Sequence, residues 1–254
     1  MIDVKNLTSY YTKGIDVIED INFKIDDSGV LVILGKNGSG KSTILKSILG
    51  LITPKCGEVL VDGINIHKIS PKERAKKVSY VSQSSILPHL SVFETVMASR
   101  LPYYNLYPSE NDKNIVLNIL KELNILNLKD KKASELSGGE AQIVSIARAL
   151  SQDANIIIFD EPTSNLDIGN LRLLVNLIKK SIKNKKFLSI IAMHDLDVAY
   201  ELGDYFLFIK EGKVISFGDK NTFNEDNIYK TFGEECLIKE IDGIRFIKFK
   251  DGDD

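Results

Sequence analysis

The stretch "GVLVILGKNGSGKSTILKSIL", Gly29 to Leu49, decides the fold. Its first part is a nearly unbroken apolar run, the pattern of a strand buried on both faces. Its last part spaces Ile44, Leu45, Ile48 and Leu49 as one face of a helix. Between them Gly35 to Ser42, "GKNGSGKS", fits the phosphate-loop pattern G-x-x-x-x-G-K-[ST]. The glycines let the loop wrap closely, so that several backbone N–H groups face phosphate oxygens. Lys41 is placed to neutralise β- and γ-phosphates, and Ser42 to offer its hydroxyl to Mg²⁺. Strand, loop and helix in that order predict an α/β fold with a nucleoside triphosphate site.

Working outward, "EVLVDGINI" reads as a hairpin turning at Asp62-Gly63. Ser70-Pro71-Lys72-Glu73 is a capping box with proline at the first helical position, so a helix starts there. "KVSYVSQ" is a strand ending at Gln83. From about Ser84 to Asn155 helical patterns dominate, which predicts a mostly helical subdomain inserted in the α/β core. "NIIIFDE" and "KFLSIIAMHD" then return as short apolar runs, as buried parallel strands do. "YFLFIKEGKVISFG" is a hairpin around Glu211-Gly212, and the chain ends in a small hairpin at Asp242-Gly243 with an acidic tail.

The balance of the 254 residues excludes several classes. A formal net charge of -2 provides no basic field to recruit nucleic acid. The lysines of Lys179 to Lys186 read as a solvated helix face and exit loop. The start "MIDVKNLTSYY" is charged and lacks the apolar run of a signal peptide, and no stretch approaches the roughly 20 apolar residues that span a bilayer. Cys56 and Cys236 belong to no metal or redox spacing and read as structural thiols in a reducing compartment. A soluble, cytoplasmic protein is expected, held at a membrane only by another component.

Two further groups carry chemistry. The apolar run "IIIF" delivers Asp160 and Glu161 to a strand end, where Asp160 is suited to hold Mg²⁺ and Glu161 to orient or deprotonate a water. Gln83 ends another strand within reach of a metal or water, and His194 follows "LSIIAM" as a candidate γ-phosphate contact. "SELSGGEAQIV", residues 134 to 144, sets a Ser-Gly-Gly turn before a helix whose Ile143, Ile146, Ala147 and Leu150 share a face. Unpaired N–H groups at such a helix start attract anions, so the chain carries two phosphate-type sites.

With these motifs in this order, the sequence resembles the ATP-binding cassette of an ABC transporter over essentially its whole length. Leu136-Ser137-Gly138-Gly139-Glu140 matches the family signature, "SNLD" (Ser164 to Asp167) the D-loop, and His194 the switch histidine. The resemblance implies a P-loop NTPase core with an antiparallel β subdomain and an inserted mostly helical subdomain. Residues 1–83 would hold the first part of the core, 84–155 the helical subdomain with the signature, 156–235 the second part, and 236–254 the C-terminal hairpin and tail.

It also implies ATP and Mg²⁺ as cofactors and a head-to-tail dimer with a second copy, each ATP lying between one P-loop and the other copy's signature. Nucleotide contacts would come from Gly35, Lys36, Asn37, Gly38, Ser39, Gly40, Lys41, Ser42 and Thr43, with Tyr11 (or Tyr10) stacking on adenine. Ser137, Gly138, Gly139, Glu140 and Asp167 would act across the dimer. Glu161, His194, Gln83 and Lys41 would be catalytic, and Ser42, Gln83 and Asp160 would serve the metal. Lys36 stands where many relatives have proline, Glu140 where glutamine is commoner, and Ala141 and Ile143 where basic residues are frequent.

One cassette without a membrane segment implies a separate integral-membrane permease, the layout of import systems, and indirectly a solute-binding protein. The protein would then sit peripherally on the cytoplasmic side of the cell membrane. "INIHKISPKERAKKVSYVSQ", "LSVFETVMASRLPYYN" and "YKTFGEECLIKEIDGIRFIKF" resemble importers of iron–siderophore, haem and cobalamin type. The segment from Ser84 to about Arg100 would receive a permease helix, while Ile86, Leu87, Leu90, Val92, Phe93 and Val96 also suit internal packing. The alternatives are a soluble ABC ATPase such as one for iron–sulfur cluster assembly, or an importer of a free metal ion or other small solute.

Overall fold

A computed structural model of the chain describes residues 1–12, 15–83, 87–104, 106–162, 169, 172, 175–176, 178–180, 187–241 and 244–250, the side chains at 11–12, 240–241 and 244–245 excepted. The Asp242-Gly243 turn, the acidic tail at 251–254, most of the Lys179–Lys186 stretch, Ser84 to Ile86, and Ser164 to Asp167 lie outside the described residues. The chain divides into two compact units, Met1–Lys68 with Leu188–Asp254, and Ile69–Phe187.

The first unit holds two sheets and a hairpin. Strands β1 (Ile2–Thr12), β2 (Ile15–Ile25), β4 (Cys56–Val61) and β5 (Ile64–Asn65) form an antiparallel sheet in the order β2-β1-β4-β5. Asp62 and Gly63 turn β4 into β5 with φ of 50° and 75°, the left-handed pair a two-residue hairpin needs. Strand β3 (Gly29–Leu34) is buried at every residue and lies between β8 (Leu188–Met193) and β9 (Tyr205–Lys210), parallel to both. Asp204 fastens β3 at its start, its carboxylate accepting from Val30 N–H at 2.9 Å while its own N–H donates to the Val30 carbonyl. Strand β10 (Lys213–Gly218) pairs antiparallel with β9 through the Glu211-Gly212 turn. Helix α1 (Lys41–Ile48) follows β3, and α6 (Leu196–Leu202) follows β8. Helix α7 (Glu225–Phe232) leads into the hairpin of β11 (Cys236–Ile241) and β12 (Ile244–Phe249). Phe206, Phe208, Phe223 and Tyr200 form an aromatic cluster in this unit's core.

The second unit contains α2 (Pro71–Lys77), β6 (Val78–Val81), α3 (Val92–Met97), α4 (Glu110–Glu122), α5 (Gly138–Ser151) and β7 (Ile156–Asp160), with β6 and β7 parallel. Strand β6 stops at Val81, two residues short of Gln83. Between α3 and α5 the described residues form no strand beyond the single bridge Ser91–Lys132. Val92, Val96, Val116, Ile119, Leu120, Val144 and Ala147 supply the apolar core, whereas Leu90 is exposed. Ile146 and Leu150 are buried and Ile143 is half-buried, so the predicted face of α5 is the packed one. Arg100 is buried among the helices and fully engaged. Its guanidinium donates to Asp112 Oδ1 at 3.0 Å and to the Ser151 carbonyl at 2.9 Å, and lies over the Tyr103 ring.

Candidate nucleotide site

The phosphate loop is a product of its neighbours. Gly40 stands at φ 106°, and a Cβ there would lie 2.7 Å from Ile18 Cγ2 on β2. The Gly212 N–H donates to the Ser39 carbonyl at 3.0 Å, and Gly212 in turn accepts from Glu19 N–H at 2.8 Å. The β9–β10 turn and β2 therefore hold the loop from behind. Its Lys36, Asn37 and Gly38 remain exposed, while Gly35, Ser39, Gly40, Lys41 and Thr43 are buried and Ser42 is half-buried. The Lys41 ammonium is folded into the loop, donating to the carbonyls of Gly35 at 2.8 Å and Lys36 at 3.2 Å.

Helix α1 begins at Gly40 with no side-chain cap and no acidic residue in its first turn. The positive end of its dipole thus faces the loop without an acidic side chain to neutralise it. Leu34 pairs with Met193 across the parallel strands β3 and β8, so Gly35 and the exposed His194 leave the sheet side by side. Tyr11 lies on β1; its side chain is outside the described residues.

In the second unit, Val81 pairs with Phe159, so Gln83 and Glu161 emerge at one sheet end. The Gln83 amide Nε2 donates to Glu161 Oε2 at 3.1 Å. Asp160 is buried, and the Tyr80 hydroxyl donates to its Oδ2 at 3.3 Å. Burial first, and the Asp160 charge next, push the Tyr80 hydroxyl up to about 12, which keeps it a hydrogen-bond donor at neutral pH. Glu161 has φ 46°, a left-handed conformation that costs a non-glycine residue about 1–2 kcal/mol. Such strain persists where the surroundings impose it and is concentrated at functional sites.

The Ser137 turn opens α5. Ser137 is the N-cap, and the Glu140 carboxylate accepts from its N–H and hydroxyl, both at 2.8 Å. Bonds from the Ser137 backbone, then from its side chain, hold the Glu140 carboxyl below its ordinary value, with the Lys131 charge assisting. Lys131 Nζ lies 3.7 Å from Glu140 Oε2. A Cβ on Gly138 would meet nothing within 4 Å. The segment before the turn is fastened to the start of α3 by Val92 N–H on the Lys131 carbonyl and Ala133 N–H on the Leu90 carbonyl, beside a 2.9 Å bond between His89 and Ser134.

The expected residues thus fall into three groups: the loop with His194, the trio Gln83, Asp160 and Glu161, and the Ser137 turn. Asp167 lies outside the described residues. Sequence reasoning passed over Gly212, Tyr80 and Lys131. The glycine was visible as a hairpin turn and the other two as ordinary strand and loop residues, but their partners were not.

Fold and site together define a P-loop ATPase. The family model described as "ABC transporter" matches residues 18–164. An uncharacterized ABC transporter ATP-binding protein of Methanocaldococcus jannaschii is 37% identical, the match covering 91% of each chain. A phosphonates import ATP-binding protein of Halalkalibacterium halodurans is 33% identical over 96% of this chain and 98% of its own. Among solved structures, a putative metal-chelate type ABC transporter in an inward-facing conformation superposes with TM-score 0.82 at 25% identity, covering 98% of this chain and 96% of that one. An ATP-binding cassette whose dimeric structure holds ADP and phosphate superposes with TM-score 0.76 at 30% identity, over 87% and 99% of the two chains. The chain belongs to the ABC transporter family, as an ATP-binding cassette: an ATPase coupled to transport.

Proposed function

We propose that two copies of this chain close head to tail around two ATP molecules and drive import of a metal chelate through a separate permease. The observation that carries the two-copy reading is the exposed Ser137 turn, a helix start with open space above Gly138. The dimer of the related cassette with ADP and phosphate supports it.

In this reading the loop from Gly35 to Thr43 binds ATP through its N–H groups, and Lys41 balances the β- and γ-phosphate charge. Tyr11 stacks on adenine. The donors present for Mg²⁺ are hard oxygens, the Ser42 hydroxyl, the buried Asp160 carboxylate and the Gln83 side-chain carbonyl, and they fit an ion that keeps several waters and binds phosphate. Such an ion would neutralise charge on the β- and γ-phosphates. Glu161 takes the proton of the attacking water, Gln83 fixes the Glu161 carboxylate, and His194 steadies the γ-phosphate. Ser137, Gly138, Gly139, Glu140 and Asp167 complete the site of the other copy. No helix among the described residues is long and apolar enough to cross a membrane, so the permease supplies the membrane attachment.

The metal-chelate cargo is supported by the likeness to the metal-chelate type transporter and by the segments resembling that sub-family. The phosphonate import relatives favour a second reading, an oxyanion cargo. Co-purification with permease and solute-binding protein decides between them. ATPase stimulation by a ferric chelate with that binding protein supports the first, stimulation by a phosphonate replaces it, and a chain that stays soluble beside its co-expressed permease removes both.

A further inference from the structure

Four helices of the second unit start with a serine cap and an acid three residues on: Ser70 with Glu73, Ser91 with Glu94, Ser109 with Asp112, and Ser137 with Glu140. An acid at that place suits the helix dipole. At α5 it conflicts with the proposed task, because a carboxylate then stands where a γ-phosphate must arrive. A carboxylate is also acceptor-only, so the Ser137 hydroxyl spends its proton on Glu140 while its oxygen accepts from the Glu140 N–H.

Glu140 differs from its counterparts in the placement of its cation, a half-exposed lysine from a separate segment. Glu73 and Glu94 form no ion pair within 4 Å among the described residues, and Asp112 is paired inside the core by Arg100. Lys131, the partner of Glu140, is not on its helix. It is set in place by its own backbone, the N–H donating to the Leu128 carbonyl and the carbonyl accepting from Val92 N–H, both at 2.9 Å. Such a half-exposed pair adds little to folding stability. It matters when a second chain displaces water, since Coulomb interactions grow about fourfold as the effective dielectric falls from about 80 to about 20.

We propose that Lys131 is a positioning residue of the signature turn, neutralising the Glu140 oxygen that Ser137 bonds, so that this bond weakens and Ser137 can donate its proton to the γ-phosphate of the second copy's ATP. This rests on the two-copy reading above.

The test uses the full chain carrying Glu161→Gln and reads the ATP concentration that half-saturates dimer formation by analytical ultracentrifugation. Adding Lys131→Ala raises that concentration about tenfold. Lys131→Arg leaves it within about twofold of the parent, and Lys131→Ala with Glu140→Gln returns it to that range. Melting temperatures of all variants stay within a few degrees, which separates the effect from unfolding. An unchanged half-point in Lys131→Ala, or no recovery with Glu140→Gln, overturns the role of Lys131 alone. A parent that never dimerises with ATP overturns the two-copy reading, and this inference with it.

Discussion

Helices α1 and α5 both begin after a serine–glycine turn, Ser39-Gly40 and Ser137-Gly138, yet their first turns are finished differently. At α1 the serine is buried beneath the loop, the N-cap is a left-handed glycine without a side-chain cap, and the first turn holds no acid. At α5 the serine itself is the cap, an acid closes the box, and the turn is exposed. The α1 start has no acid or side-chain cap of its own and is braced by β2 and the Gly212 turn. The α5 start is self-satisfied and braced by nothing on its open side. The difference teaches that similar glycine turns serve opposite ends. In the proposed dimer, one would hold a phosphate of its own chain's ATP, and the other would meet a phosphate brought by the second copy.

The largest effects test that division directly. Ser137→Arg should lower ATP turnover by about 10²–10³-fold, the scale of losing a phosphate-facing donor, while ATP binding to the monomer is unchanged. Loss of monomer binding in a nucleotide titration would show that both helix starts serve the same ATP and end the comparison. Glu161→Gln should lower turnover by about 10²–10⁴-fold, the usual share of a general base, and keep ATP binding. Gel filtration with ATP should then show a trapped dimer. Normal turnover would remove Glu161 as the base.

Alanine at the two glycines sharpens the contrast. Gly40→Ala places a Cβ 2.7 Å from Ile18 at φ 106° and should cost about 1–3 kcal/mol in denaturant unfolding, with monomer ATP binding lost. Gly138→Ala meets no neighbour and sits in a helix, so the fold should change by less than about 0.5 kcal/mol. Turnover should nevertheless fall, about tenfold, because in the proposed dimer the added methyl would occupy the space of the second copy's phosphate. Equal stability losses at both positions would contradict the braced and open descriptions.

Much of this was written locally and could be read. The loop at Gly35–Ser42, the Asp62-Gly63 turn and the Ser70 box each depend on residues within a few positions, and α5 announced its packed face by spacing. What escaped depends on tertiary register. Tyr80 meets Asp160 because β6 and β7 are parallel neighbours, and Gly212 meets Ser39 because β9 runs beside β3. The β1–β2 pair hides its alternation behind register shifts and left-handed residues at Asn6 and Asp20. Helix α7 offered only Ile228 and Thr231 as buried positions, although its Asn224 cap and left-handed Gly233 were signals at hand.

The smallest effect separates what capping contributes from what the α5 start does beyond it. Ser91→Ala removes a box of the same design as that at Ser137 and should lower Tm by about 2–4 °C with turnover unchanged. Bonds from the Ser91 side chain, then its backbone, hold the Glu94 carboxyl below its usual value. A depressed carboxyl stabilises the fold above its unfolded value, near about 4.3, and that contribution is lost as pH falls through the folded value. The Tm gap between the parent and Ser91→Ala should therefore be full at pH 6 and shrink as pH drops below about 4. Ser137→Ala should show a shallower pH dependence of the Tm gap, since the Ser137 backbone that alanine keeps is the larger cause at Glu140 and Lys131 assists, but with turnover already reduced at neutral pH. If Ser91→Ala slows turnover as much as Ser137→Ala, the α5 start is an ordinary cap and the contrast with α1 is one of stability alone.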